Sequence, residues 1–164
     1  MDKNLYLSAA EFFSRRSGLL KVAATVQKAL ERAIYMLYPV FLVWLFWQKN
    51  DFWWKSAVVC FISLCAVSLL RAIINAERPY EKFGFEPLIN REKGGKAFPS
   101  RHAFSGAIIS LHMGLVFPAV GIVVGIMTLI IAFLRVVFGV HFIKDVLAGI
   151  LCGVCLGLIV LIIK

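Results

Sequence analysis

The chain has 164 residues, 61% of them hydrophobic and only 16% charged, with a mean hydropathy of +0.86. Soluble domains run at about 45–50% apolar and about 25% charged, and a chain this short has too little interior to hide the excess from water. An ordinary soluble enzyme, a disordered tail and a disulfide-stapled secreted module are excluded, and the net charge of +9 belongs beside anionic headgroups or an anionic substrate, not on nucleic acid.

Residues 1–32 carry Lys3, Arg15, Arg16, Lys21, Lys28 and Arg32 and no uninterrupted apolar core, so no cleavable signal peptide is expected. Within them, Ala9–Glu31 sets Phe12, Leu19, Val22, Val26 and Leu30 near one helical face. That pattern predicts an amphipathic helix lying in the membrane interface, and residues 1–32 are read as an interfacial segment. Residues 33–164 are read as a transmembrane domain. Spans are predicted over Ala33–Trp47 and Trp53–Ala76, joined by the polar turn Asn50-Asp51, with Trp44, Trp47, Trp53 and Trp54 as interface anchors. Ala103 to Val140 is too long for one crossing, about 57 Å as a straight helix, and Pro118 with Gly121 divides it into two. Val146–Ile163 makes the fifth span. The expected fold class is all-α, an integral membrane bundle of about five transmembrane helices plus the amphipathic segment. Gly149, Gly153 and Gly157, and again Gly121 and Gly125, form small-residue ridges suited to close packing inside the bundle, with homo-oligomerisation through the same Gly-xxx-Gly faces as the second reading. Cys60, Cys65, Cys152 and Cys155 sit in apolar runs and read as packing residues.

Ionisable groups in such a chain point to function. Three clusters stand out. Arg71 and Arg78, seven residues apart, are predicted to share one helical face about 10 Å apart, with Pro79 ending the helix. Phe98-Pro99-Ser100-Arg101-His102 precedes the third span, where Ser100 can cap the helix and the helix N-terminus favours an anion. Arg135, His141 and Asp145 lie between the fourth and fifth spans, and the four-residue step from His141 to Asp145 sets carboxylate beside imidazole on a helix. Lys55 to Arg71 is 16 residues, His102 to Pro118 is 16 and Pro118 to Arg135 is 17, each close to one membrane crossing, so all three clusters reach one membrane face. His112 lies about 15 Å deeper than His102 and reads as a packing or hydrogen-bonded helix residue.

Arginines and a helix N-terminus suit the oxygens of a phosphate. A histidine backed by a carboxylate is an oriented nucleophile, and a second histidine can protonate a leaving oxygen. Together they describe phosphoryl transfer through a phosphohistidine, with no metal and no cofactor.

The clusters resemble the type 2 phosphatidic acid phosphatase superfamily, integral-membrane lipid phosphatases related to vanadium haloperoxidases. The family pattern is Lys-x6-Arg-Pro, Pro-Ser-Gly-His and Ser-Arg-x5-His-x3-Asp. Here the chain reads Arg71-x6-Arg78-Pro79, Pro99-Ser100-Arg101-His102 and Leu134-Arg135-x5-His141-x3-Asp145, with Arg71, Arg101 and Leu134 departing from the pattern. The resemblance covers roughly residues 31–164 and makes residues 33–164 a lipid phosphatase domain. It implies that His141 attacks phosphorus, Asp145 orients it and His102 donates the proton, while Arg71, Arg78, Ser100, Arg101 and Arg135 hold phosphate oxygens. The implied substrate is a lipid phosphate or diphosphate of the undecaprenyl diphosphate, phosphatidylglycerophosphate or phosphatidate type. The alternative is a lipid-phosphate binding or scaffold protein, and the intact His102, His141 and Asp145 weigh against it. An odd number of spans puts the basic N-terminal segment on the catalytic side, which by the positive-inside rule is cytoplasmic. The resemblance implies the extracytoplasmic face of a bacterial cell membrane, and that is the expectation adopted.

Overall fold

The computed structural model describes residues 3–89 and 94–163. Its helices are α1 (Lys3–Ser14), α2 (Ser17–Trp47), α3 (Phe52–Ile74), the short α4 (Pro79–Phe83), α5 (Arg101–Val116), α6 (Pro118–Val137) and α7 (Ile143–Gly157), the last continued by a 3-10 turn over Leu158–Leu161. Among the described residues there is no strand. Four helices, α2, α3, α6 and α7 with its 3-10 turn, are long and apolar enough to cross a bilayer. The protein is an all-α integral membrane bundle.

α5 is the hub. It packs against α2, α3, α6 and α7, and every residue from Ala103 to Ile109 is buried. The surrounding helices show the inverse of a soluble pattern. On α3 a single stripe faces inward (Ser56, Val59, Ser63, Val67, Arg71), while Phe61, Ile62, Leu69 and Ile73 stand exposed. Exposed Phe133 on α6 and Leu151 on α7 continue this apolar outer belt. Such a surface is stable only against lipid.

The glycine ridges are used inside one chain. A Cβ at Gly149 would lie 2.5 Å from the Ser100 carbonyl oxygen, and one at Gly153 would lie 2.6 Å from that of Phe104. α7 therefore rides directly on the α5 backbone. Gly121 of α6 is likewise closed against Gly114 of α5. The contacting faces of Gly149, Gly153, Gly157 and Gly121 are buried in the bundle, so they serve packing within one chain.

Two expectations change. The break in the N-terminal region comes at Arg15-Arg16, and α2 then runs unbroken from Ser17 through residue 32 to Trp47. No glycine or proline interrupts residues 19–38, so the amphipathic stretch and the first span share one helix. α3 also ends earlier than expected, at Ile74, because Asn75 adopts a left-handed conformation (φ 43°). Arg78 is extended (φ −85°, ψ 159°), the conformation favoured before a proline, so Arg71 and Arg78 do not share a helical face.

His112 is fully buried and hydrogen-bonded, as its position suggested. Ser56 Oγ is 2.8 Å from its Nδ1, and its Nε2 is 3.0 Å from the Gly157 carbonyl, to which it must donate. The Ser56 hydroxyl then donates to Nδ1, and Tyr38 closes the chain onto Ser56 Oγ at 2.9 Å. One polar chain thus ties α2, α3, α5 and α7 together.

Close α5–α7 packing yields a direct expectation. Gly153→Ala should destabilise the bundle by about 1–3 kcal/mol, because the new methyl group meets backbone. Thermal unfolding in detergent measures this, with the exposed Ile162→Val as control. An unchanged midpoint for Gly153→Ala would contradict the packing described.

Candidate active site

The three clusters meet at one end of the bundle. Arg71, in the last turn of α3, donates through Nη1 to the Pro99 carbonyl just ahead of α5. Arg78 donates from Nη1 to the Val140 carbonyl and from Nε to the Gly95 carbonyl, each at 3.2 Å. Ser100 donates its backbone N–H to the Asp145 carbonyl at 2.8 Å, locking the start of α5 to the first turn of α7. These bonds replace the helical face expected for Arg71 and Arg78. Carbonyl groups of the loops, not a shared helix, aim the guanidinium groups. Arg71, Arg78, Ser100, Arg135, His141 and Asp145 are all buried and His102 is half-buried. Arg101, the first residue of α5, is exposed.

His141 is not on a helix. Gly139 turns the chain (φ 75°), and α7 starts only at Ile143. A side chain at Gly139 would also strike the Phe85 ring. The turn still brings His141 Nδ1 to 3.6 Å from Asp145 Oδ2, longer than a hydrogen bond but well within electrostatic reach. The same Asp145 oxygen accepts the Phe142 backbone N–H at 2.9 Å, which fixes the carboxylate at the helix start. At that distance Nδ1 makes no hydrogen bond, and a carboxylate, which only accepts, favours the tautomer with the proton on Nδ1 and the lone pair on Nε2. Burial pushes the His141 pKa down from 6.5 to about 4, against the opposing pull of Asp145, and the charges of Arg135 and Arg78 reinforce the burial. The imidazole is therefore neutral at neutral pH.

Ser100 holds the N-cap position of α5, as expected, yet its side chain makes no cap bond. Its Oγ is buried without a partner. A buried hydroxyl left open beside a helix N-terminus fits an anionic oxygen, because such groups are otherwise satisfied.

Glu31 of α2 was not anticipated. Its Oε1 lies 3.7 Å from His102 Nε2 and 3.6 Å from Arg135 Nη1, and accepts a 2.8 Å bond from Gln27 Nε2. These groups and Lys28 line a cavity of about 320 Å3. An acid at the threshold of an apolar span is the signal the sequence offers for it. A larger groove of about 630 Å3, between Leu129, Phe133 and Val136 of α6 and Leu147 and Ile150 of α7, is apolar and holds none of the candidate groups. Tyr6 of α1 bridges the two regions, lining that groove while its hydroxyl lies 3.4 Å from the His141 carbonyl.

The sequence model of the PAP2 superfamily matches residues 52–164, more than half of the chain. The chain belongs to the PAP2 superfamily. Two solved structures share the PAP2 fold with it. The first transmembrane PAP2 type phosphatidylglycerolphosphate phosphatase from Bacillus subtilis is 22% identical, with a TM-score of 0.71, over 96% of this chain and 81% of that one. Aquifex aeolicus LpxE is 21% identical, also with a TM-score of 0.71, over 87% of this chain and 86% of its own. No curated protein matches in sequence. The PAP2 match begins at Phe52, so α1 and α2, with Gln27 and Glu31, lie outside it.

The charge state of His141 can be tested without substrate. In NMR titration of labelled imidazoles in detergent, His141 should stay neutral down to about pH 4, and Arg135→Gln should raise its midpoint toward 6.5. Protonation near pH 6.5 in the unaltered protein would contradict this environment.

Proposed function

We propose that this PAP2 protein is a membrane lipid phosphatase that hydrolyses a lipid phosphate or diphosphate through a phosphohistidine formed on His141. The observation that carries the reading is the buried, neutral His141 beside Asp145, under the charges of Arg135 and Arg78. A neutral imidazole has the lone pair that attack requires, and the guanidinium groups stabilise the charge that develops on the phosphoryl oxygens.

In this mechanism Arg71, Arg78 and Arg135 hold the phosphoryl group with the Ser100 hydroxyl, and Arg101 meets it from the exposed rim. His141 Nε2 forms a bond to phosphorus as the bond to the leaving oxygen breaks. His102 gives that oxygen its proton, and Asp145 holds the Nδ1 proton of the resulting cationic ring. Water, deprotonated by His102, then attacks phosphorus, and the histidine–phosphorus bond breaks to release phosphate. The name of the Bacillus subtilis neighbour supports a phosphatidylglycerophosphate-type substrate. Undecaprenyl diphosphate and phosphatidate remain within the same chemistry. The catalytic end is assigned to the extracytoplasmic face of a bacterial membrane on the family likeness.

Purified protein in detergent, assayed for phosphate release from a panel of these lipids, tests the proposal. His141→Ala should fall to background and His102→Ala should lose at least about a hundredfold in kcat, with Asp145→Asn impaired less severely. Near-normal release by His141→Ala would reject the mechanism.

Metal dependence gives a second check. Among the described residues no three His, Cys, Asp or Glu side chains are grouped to hold a metal ion, whereas the arginines already supply positive charge. Activity should survive EDTA and be inhibited by vanadate, which mimics pentacoordinate phosphorus. Loss with chelator and recovery with magnesium would contradict this account.

A further inference from the structure

The two histidines of the proposed mechanism need opposite charge states. His141 attacks through a lone pair and must be neutral, whereas His102 gives up a proton and must start as the imidazolium. The buried guanidinium groups suit the first task and oppose the second, because positive charge disfavours a further cation nearby. His102 opens onto two cavities, and the charged or titratable groups that line them with it are Lys28, Glu31 and Tyr35 of α2 and Arg135 of α6. Among these described residues Glu31 is the acid. Its Oε1 lies 3.7 Å from His102 Nε2 and 3.6 Å from Arg135 Nη1, so one carboxylate oxygen faces both groups. The buried Gln27 donates from Nε2 to the same oxygen at 2.8 Å and holds it there. Asp145 stands as close to His141, yet only 1% of the His141 side chain is exposed, and burial keeps that ring neutral. His102 has 19% of its side chain exposed, so the same kind of partner meets a smaller penalty for charge.

We propose that Glu31 is the positioning residue for the general acid, the counter-charge that keeps His102 in its imidazolium form beside Arg135. The proposal rests on the phosphatase reading above. At 3.7 Å the contact is electrostatic, and Glu31 exchanges no proton. As the phosphorus–oxygen bond breaks, its electron pair stays on the leaving oxygen, which takes a proton from His102. The attacking water returns a proton to His102 in the second step. The PAP2 match begins at Phe52, so this partner of the general acid comes from a helix outside it.

Two phosphate esters separate this role from phosphate binding. A lipid alkoxide leaves only with a proton, whereas nitrophenolate leaves without one. kcat/KM, which reports the protonation state of the free enzyme, is measured for phosphatidate and for p-nitrophenyl phosphate with the unaltered full chain and Glu31→Gln. Glu31→Gln should lower the ratio of the first to the second at least about tenfold, a part of what a general acid contributes. Any change in phosphate affinity through Arg135 is common to both esters and cancels in the ratio, as does a partly unfolded fraction. In NMR spectra of labelled imidazoles at neutral pH, without substrate, the imidazolium fraction of His102 should fall in the same variant. An unchanged ratio with both esters hydrolysed, or a His102 ring signal identical in the two proteins, would overturn the role of Glu31 and leave the phosphatase reading standing. Release from neither ester by the unaltered protein would overturn both.

Discussion

Burying a guanidinium group removes several kcal/mol of hydration, and the cost rises where lipid replaces water around the protein. This protein buries Arg71, Arg78 and Arg135 at one end of a membrane bundle, together with an open Ser100 hydroxyl. Carbonyl groups of Pro99, Val140 and Gly95 orient two of these cations, and the Glu31 carboxylate lies 3.6 Å from the third. The arrangement makes physical sense around a ligand with several negative oxygens. The same positive field helps keep His141 neutral, so in the proposed mechanism the feature that attracts a phosphoryl group also prepares its nucleophile.

The fold serves this end through α5. Its N-terminus carries Ser100 and His102 into the site, and its small-residue faces let α6 and α7 approach closely enough to deliver Arg135, His141 and Asp145. The hydrogen bond from Ser100 N–H to the Asp145 carbonyl joins the two halves of the site directly. Gly149 permits that approach, since a side chain there would meet the Ser100 carbonyl. At the other end, the Tyr38–Ser56–His112–Gly157 chain fixes the helices against sliding. Packing and chemistry are therefore coupled along one helix.

Much of this was legible in the sequence. Apolar runs bounded by Pro118, the Asn50-Asp51 turn and the tryptophans marked the membrane helices, because lipid imposes length and composition directly. The three polar clusters stood out for the same reason, as ionisable groups amid apolar sequence. Their convergence could be read from path lengths, whereas their local geometry could not. A seven-residue step suggests one helical face for Arg71 and Arg78, but the left-handed Asn75 ends α3 before that step is complete. His141 lies beside Asp145 through a glycine turn, not through a helix. Glu31 and Gln27 are not legible as site residues, because amphipathic periodicity describes a helix face and says nothing of which residue a distant segment brings against it. α2 also proved continuous where a change of character suggested a boundary.

The central claim is that a phosphoryl group passes through His141. Rapid quenching into base during turnover of a 32P-labelled lipid phosphate, followed by peptide mapping, tests it most directly, since phosphohistidine survives base and is lost in acid. The account predicts a transient label on His141 that forms and decays at rates compatible with phosphate release. Release at full rate with no labelled histidine, or with the label on another residue, would contradict it.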